Sequence, residues 1–170
     1  SDDVFLFADN WGTYTIASAG LVDFDTLDFS AVTADLTFTF HADGTVSVTD
    51  GTSRLGPSAD IDNIVGGSGD NRFVFEDGGY LAGYLQGGSG GTNTLDYSAY
   101  NTAVYVDLGE MDTVRKRMID QDDDDATPPV AMYPVLSGSA TGLLGINGMQ
   151  AVVGGHSSGD RLVGPMSASL

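Results

Sequence analysis

The side chains that could do chemistry in this sequence are carboxylates, and nearly all of them are aspartates. Of 24 acidic residues only Glu76 and Glu110 are glutamates, which leaves 24 - 2 = 22 aspartates, and the net charge is -18. Short side chains that carry oxygen suit turns and also coordinate hard cations such as calcium. Asp25, Asp70, Asn71, Asn93 and Asp160 stand in Gly-rich or Asp-rich turns beside apolar segments. These five are the candidate calcium ligands, and the alternative is that they only shape the turns.

The composition argues against several other functions. An acidic surplus repels phosphate backbones and anionic lipid, so we expect no nucleic-acid partner. No apolar run reaches the ~18 residues of a membrane span, so no membrane insertion is expected. The absence of cysteine excludes disulfides, and His41 and His156 are too far apart in sequence to predict a zinc site. The first residues lack the features of a signal peptide, which indicates a mature chain or an excised piece.

We also find no nucleophile elbow, phosphate-binding loop or ordered Ser, His and Asp triad. The sequence therefore predicts no enzyme and no required cofactor, with calcium as the open alternative.

An internal repeat organises the chain. Residues 3–9 recur as 71–77, and 26–31 recur as 94–99; both pairs are 68 residues apart. The closing segment 61–67 matches 149–155 at a spacing of 88, so the second copy carries about twenty extra residues. Two segment pairs with the same spacing of 68 residues are hard to obtain by chance, and they indicate a repeat protein.

The repeat predicts the domain organisation. We expect a first unit at 1–68, a second at 69–159 with an insertion near 110–136, and the start of a third unit or a tail at 160–170. In the insertion, Met111, Val114 and Met118 have helical spacing, so it is expected to be a short surface helix or a solvated loop.

Apolar residues alternate with polar ones in short runs, which predicts short, half-buried strands. Such strands share a continuous core when coils stack on one another. The sequence therefore predicts an all-β fold, a parallel β-solenoid (β-helix-like or β-roll-like) of about six or seven short coils with one loop or helical insertion. A β-sandwich is the alternative. The residues expected to point into one core are Phe5, Phe7, Leu27, Phe29, Phe38, Phe40, Phe73, Phe75, Leu95, Val104, Val106 and Leu108.

Two stretches resemble a known family. Residues 66–74 (GGSGDNRFV) resemble the glycine-rich nonapeptide of repeats-in-toxin (RTX) proteins, in which Asp and backbone carbonyls bind calcium. Residues 94–99 (TLDYSA), together with 73–79, 104–109 and 152–155, resemble the RTX-related, haemagglutinin-like β-helix repeats of large bacterial surface and secreted proteins. The resemblance implies an extracellular location, a parallel solenoid and a structural, adhesive or spacer role without catalytic residues.

These observations predict a non-enzymatic, extracellular structural module, either a stiff spacer or a self-assembling fibre subunit. A calcium-dependent adhesin module is the nearer alternative, and a β-helix enzyme that acts on polysaccharide is the more distant one. The expected partner is a second copy stacked head-to-tail or a neighbouring repeat of a longer chain. A cell-surface or carbohydrate ligand stays open, because Trp11 is either a packed edge residue or a platform for a sugar.

Overall fold

The computed structural model describes residues 2–16, 24–108 and 138–163, and every regular element in these ranges is a β-strand. The expected insertion near 110–136 and the end of the chain after Val163 lie outside the described residues. The strands are β1 (Val4–Ala8), β2 (Thr13–Tyr14), β3 (Thr26–Ala31), β4 (Leu36–Phe40), β5 (Val46–Thr49), β6 (Arg54–Ser58), β7 (Asn63–Val65), β8 (Asn71–Phe75), β9 (Tyr84–Gln86), β10 (Asn93–Asp96), β11 (Tyr105–Asp107), β12 (Ser139–Ala140), β13 (Gly145–Asn147), β14 (Ala151–Val153) and β15 (Arg161–Val163).

The strands form three sheets. Sheet 1 has the order β1-β3-β7-β9-β13 and is parallel throughout. Sheet 2 has the order β14-β10-β8-β4-β5-β6-β2, and its β4-β5-β6 part is antiparallel. Sheet 3 has the order β12-β11-β15, with an antiparallel β11-β12 pair. One antiparallel bridge between Gly138 and Ile146 connects the start of β12 to sheet 1.

The expected parallel β-solenoid of six or seven coils is wrong, although the described residues are all-β. The chain does not continue in one direction after β4, because two tight turns reverse it. Gly44 and Gly51 adopt φ angles of 81° and 89°, which glycine reaches without a steric penalty. Asp43 Oδ1 accepts the N–H of Thr45 at 3.0 Å in the first turn. These Asp-Gly turns form a β4-β5-β6 meander, so the strands occupy mixed sheets and no closed coil results.

The strand pairing nevertheless repeats with the sequence. In the β1-β3 pair Phe5 lies opposite Leu27, and in the β8-β10 pair Phe73 lies opposite Leu95. Each residue of the second pair follows its counterpart by 68 positions (73 - 5 and 95 - 27). The offset found in the sequence therefore also relates the registers of two parallel strand pairs.

The remaining strands follow the same scheme. Strand β3 pairs with β7 as β10 pairs with β14, and β2 pairs with β6 as β9 pairs with β13. The antiparallel β4-β5 pair corresponds to β11-β12. We call β1 to β7 the first set and β8 to β14 the second set; β15 is then the first strand of a third.

Successive sets exchange sheets. Strands β1, β3 and β7 of the first set lie in sheet 1, whereas their counterparts β8, β10 and β14 lie in sheet 2. Two strand pairs, β4-β8 and β7-β9, join the first set to the second, and we call them the junction. The β11-β15 pair repeats the first of these contacts with the third set.

One hydrophobic core connects the sheets, as the alternating residues predict. Nine of the twelve expected core residues are buried, and Phe5, Phe7 and Leu108 are half-buried against the same cluster. The core prediction is confirmed. The nine are Leu27, Phe29, Phe38, Phe40, Phe73, Phe75, Leu95, Val104 and Val106.

Candidate functional site

Three of the five candidate calcium ligands are buried at the starts of strands. Asn71 and Asn93 begin β8 and β10, and they lie opposite each other in that parallel pair. Asp25 lies immediately before β3, and its exposed fraction is 3%. The structure thus brings Asn71 and Asn93 together. Asp25 is the counterpart of Asn93 in the first set, 68 positions earlier.

The side chain of Asn71 closes its own turn. Its Oδ1 accepts the N–H of Gly67 at 3.0 Å, and its Nδ2 donates to the carbonyl of Gly69 at 2.9 Å. The same Nδ2 lies 2.8 Å from Asn93 Oδ1. Buried amide groups need such partners, and here they are backbone groups and a neighbouring amide.

Asn93 extends this arrangement to the next strand. Its Nδ2 donates to the carbonyl of Gly148 at 2.9 Å, and its N–H donates to Gln150 Oε1 at 2.8 Å. Asn71, Asn93 and Gln150 therefore form a line of three amide side chains across β8, β10 and the residue before β14. We call this line the amide row.

The first set carries carboxylates at the same three places. Asp25 Oδ1 accepts the N–H of Asp3 at 3.0 Å, and the N–H of Asp25 donates to Asp62 Oδ2 at 3.0 Å. The offsets of 68 and 88 relate these residues to the members of the amide row. We call Asp3, Asp25 and Asp62 the acidic row.

The two remaining candidates, Asp70 and Asp160, are exposed and hold backbone N–H groups. Asp70 Oδ1 accepts the N–H of Thr92 at 2.7 Å. Asp160 accepts the N–H of Val104 through Oδ1 at 3.0 Å and that of Gly155 through Oδ2 at 2.7 Å. Within residues 2–16, 24–108 and 138–163 no group of three or more His, Cys, Asp or Glu side chains is arranged to hold a metal ion. Calcium binding therefore stays a prediction.

Sequence reasoning missed a pair of aspartate clamps. Asp9 accepts the N–H of Thr33 at 2.7 Å and its hydroxyl at 2.8 Å. Asp77, 68 positions later, accepts the N–H of Asn101 at 3.0 Å and its Nδ2 at 2.8 Å. Hydrogen bonds from the backbone and then the hydroxyl of Thr33 lower the pKa of Asp9, and those from the side chain and then the backbone of Asn101 lower the pKa of Asp77. The repeat spacing could have revealed both clamps, because each partner follows its aspartate by 24 residues.

A buried carboxylate on β10 was also missed. Asp96 is fully buried, and Arg72 on β8 donates to its Oδ2 through Nε at 2.8 Å and through Nη2. The N–H of Ser98 donates to Asp96 Oδ1 at 2.9 Å. Burial raises the pKa of Asp96, but the hydrogen bonds from Ser98 and Arg72 outweigh it and leave the pKa below its ordinary value. The arrangement ties β8 to β10 through the side chains of Arg72 and Asp96.

Trp11 is a packed residue rather than an exposed platform. Its exposed fraction is 7%, and its ring meets Phe7 and Phe29 edge-to-face with centroids 5.3 and 5.4 Å apart. The interpretation of Trp11 as a packed edge residue is therefore confirmed. Its Nε1 has no hydrogen-bond partner among the described residues.

The comparisons with known proteins name no family. No protein-family model matches the sequence, and neither a curated protein nor a solved structure matches it. In the part of the chain that the structure describes, no helix is long and apolar enough to cross a membrane. The resemblance to RTX-related repeats therefore rests on the quoted residues alone.

Proposed function

We propose that this chain is a non-enzymatic structural module of an extracellular bacterial surface protein, in which it acts as a stiff spacer. The observation that carries the proposal is the repeated pairing scheme, in which four strand pairs of the first set recur in the second. A spacer of this kind needs units that contact their neighbours through the same surfaces each time. The resemblance to RTX-related, haemagglutinin-like repeats supports the extracellular placement.

The repeat gives a length per set. Two sets together supply the seven strands of sheet 2. Neighbouring strands are ~4.8 Å apart, so seven strands span ~29 Å between the outermost two, and a set that divides seven strands between two sheets adds ~17 Å along each. A longer series of sets would therefore extend in regular increments.

Side chains that bridge turns support stiffness. The clamps at Asp9 and Asp77 tie segments that are 24 residues apart, and the amide row ties three successive turns. Charge-assisted and buried hydrogen bonds are the stronger ones in proteins. Most of the Asp and Asn side chains described above thus form hydrogen bonds with backbone groups of neighbouring turns. Such bonds resist bending, which a stiff spacer requires.

Force spectroscopy on the full chain, held at its two ends, tests the proposal. We expect no gradual extension before unfolding, and then abrupt steps that each release on the order of 200 Å, the extended length of one set. The matched variant Asn101→Ala removes the side-chain half of one clamp and should lower the force of one step only. Smooth extension from low force, or cleavage of a polysaccharide by the chain, would overturn the proposal.

A further inference from the structure

The junction between the two sets is the best-packed contact between repeats. Strand β4 meets β8 along five residue pairs, with Phe38 opposite Phe73 and Phe40 opposite Phe75. The rings of both pairs stack, with centroids 4.7 and 4.3 Å apart. The second contact pairs β7 with β9, with Val65 opposite Gln86.

The first set contains counterparts of the two junction strands, and no strand in the described part of the chain opposes them as β4 and β7 oppose β8 and β9. Strands β1 and β2 correspond to β8 and β9, and each is the last strand of its sheet. Phe5 and Phe7 are only half-buried, whereas their counterparts Phe73 and Phe75 are fully buried. Tyr14 on β2 is 58% exposed. The start of the first set therefore has the side chains of a junction, and within residues 2–16, 24–108 and 138–163 no strand opposes them.

The other end of the molecule presents the complementary strands. Strand β14 corresponds to β7 and is the last strand of sheet 2, with Val153 42% exposed. Strand β11 corresponds to β4, and within the described residues, which end at Val163, β15 pairs with it at three positions. Leu162 of β15 lies opposite Val106 and is 57% exposed, so β15 is a poorly packed occupant of this edge.

We propose that the occupant of these edges is a second copy of this chain, bound head-to-tail by strand exchange. Strand β2 of the incoming copy adds to β14, and its β1 replaces β15 on β11. The register of the junction then places Phe5 opposite Val106 and Thr15 opposite Val153. This interface goes beyond the spacer role, since a spacer can work within one chain.

Two physical terms favour the exchange, and one opposes it. The incoming β1 buries the exposed parts of Phe5 and Phe7, and it takes the place of a strand whose Leu162 is 57% exposed. The net charge of -18 makes copies repel one another. Added salt screens that repulsion, so assembly should strengthen as ionic strength rises. Because the contact joins different surfaces of identical copies, it propagates into a filament unless the rotation closes.

The first test measures the mass of the full chain by sedimentation and light scattering at rising protein and salt concentrations. The N–H of Thr26 donates to the carbonyl of Asp3, so by strand alternation the N–H of Leu6 faces the open edge of β1. We expect Leu6→Pro, which removes that N–H, to stay monomeric. The control Leu6→Thr keeps the N–H and should assemble like the parent chain. Leu162→Asp, which weakens β15, should increase the mean mass about twofold or more at equal concentration.

The second test uses the absence of cysteine to read the register. Thr15→Cys combined with Val153→Cys should form disulfides between copies under mild oxidation and give a ladder of multimers. The pair Val65→Cys and Gln86→Cys occupies the equivalent internal position and should link within one chain only.

A full chain that stays monomeric at high salt and gives no cross-linked ladder would overturn the inference. Assembly that is equally strong in Leu6→Pro, folded by circular dichroism, would overturn it as well. Both outcomes leave the pulling steps of a single chain unchanged, so the spacer proposal is judged separately.

Discussion

The amide row of the second set and the acidic row of the first occupy equivalent places, but their side chains differ in what they can donate. Asn71 donates to Asn93 at 2.8 Å, whereas Asp3 and Asp25 place two carboxylates at the corresponding positions. An ionised carboxylate accepts hydrogen bonds and donates none. The first set is nevertheless paired in the same register as the second.

The difference separates two contributions to stability. The strands have the same register whether the row at their start is acidic or amide. Strand pairing and the alternating apolar residues therefore set the register, and the row does not. The amide side chains then donate hydrogen bonds, to Asn93 Oδ1 and to the carbonyl of Gly148, that an ionised carboxylate cannot donate.

Removing a ring from the second set should cost more than removing its counterpart from the first. Phe75 is fully buried and stacks on Phe40, so Phe75→Ala should lower the free energy of unfolding by about 3–5 kcal/mol. Phe7 is half-buried, and Phe7→Ala should cost about half as much. Urea denaturation measures both; a cost below ~1 kcal/mol for Phe75→Ala would show that the register is wrong.

Turning the amide row acidic should weaken the second set. Asn93→Asp loses the donor to Gly148 and places a carboxylate beside that carbonyl, which should cost about 2–3 kcal/mol. Gln150→Glu changes the exposed end of the same row and should cost less than ~0.5 kcal/mol. Equal losses in denaturant unfolding would mean that burial of the donor is irrelevant.

Asp96 should make the second set sensitive to acid. Because its pKa is lowered on folding, its contribution is complete above the ordinary aspartate pKa of about 4 and is lost as the pH falls through the lower folded value. Asp96→Asn should lower the free energy of unfolding by about 1–2 kcal/mol at neutral pH. The loss is no larger because Arg72 is largely exposed and solvent screens its charge. The cost should shrink below pH 4 in denaturant titrations; a cost that is independent of pH would contradict the ionised pair.

Calcium should have the smallest effect. The side-chain oxygens of Asp70, Asn71 and Asn93 already accept hydrogen bonds within the chain. An ion present at 100 times its dissociation constant would stabilise the folded state by about 2.7 kcal/mol. We expect the melting temperature in millimolar calcium to equal that in excess chelator, and a clear rise with calcium would restore the adhesin alternative.

The core could be predicted from local alternation, but the architecture could not. Phe38, Phe40, Phe73 and Phe75 were correctly predicted as strand residues that face the core, since a period of two needs no knowledge of partners. The turn that follows Phe40 contains Asp43-Gly44, a strong hairpin signal that the solenoid interpretation did not take into account. Because the 68-residue repeat looks the same whether copies stack in one sheet or alternate between two, spacing alone cannot distinguish the two arrangements.

The candidate site was predictable only as a set of turns. Asp25, Asn71 and Asn93 do stand at strand starts, where short polar side chains close turns. Their neighbours across the sheet depend on which strands pair, and the pairing of β8 with β10 brings residues 22 positions apart into contact. The same dependence hid Arg72 and Asp96, which have no counterpart ion pair in the first set because Val4 stands where Arg72 would.

The exchange of sheets between successive sets imposes a rule of parity on any change in repeat number. A gain or loss of one set would move the strands equivalent to β1, β3 and β7 between sheets 1 and 2, whereas a gain or loss of two would return them to their original sheet. The connection between β4 and β5 corresponds to the one between β11 and β12, where the sequence gains residues. Segments inserted at this connection in neighbouring sets would accordingly extend from different sheets, and duplication in pairs is the change that leaves the orientation of every downstream insertion intact.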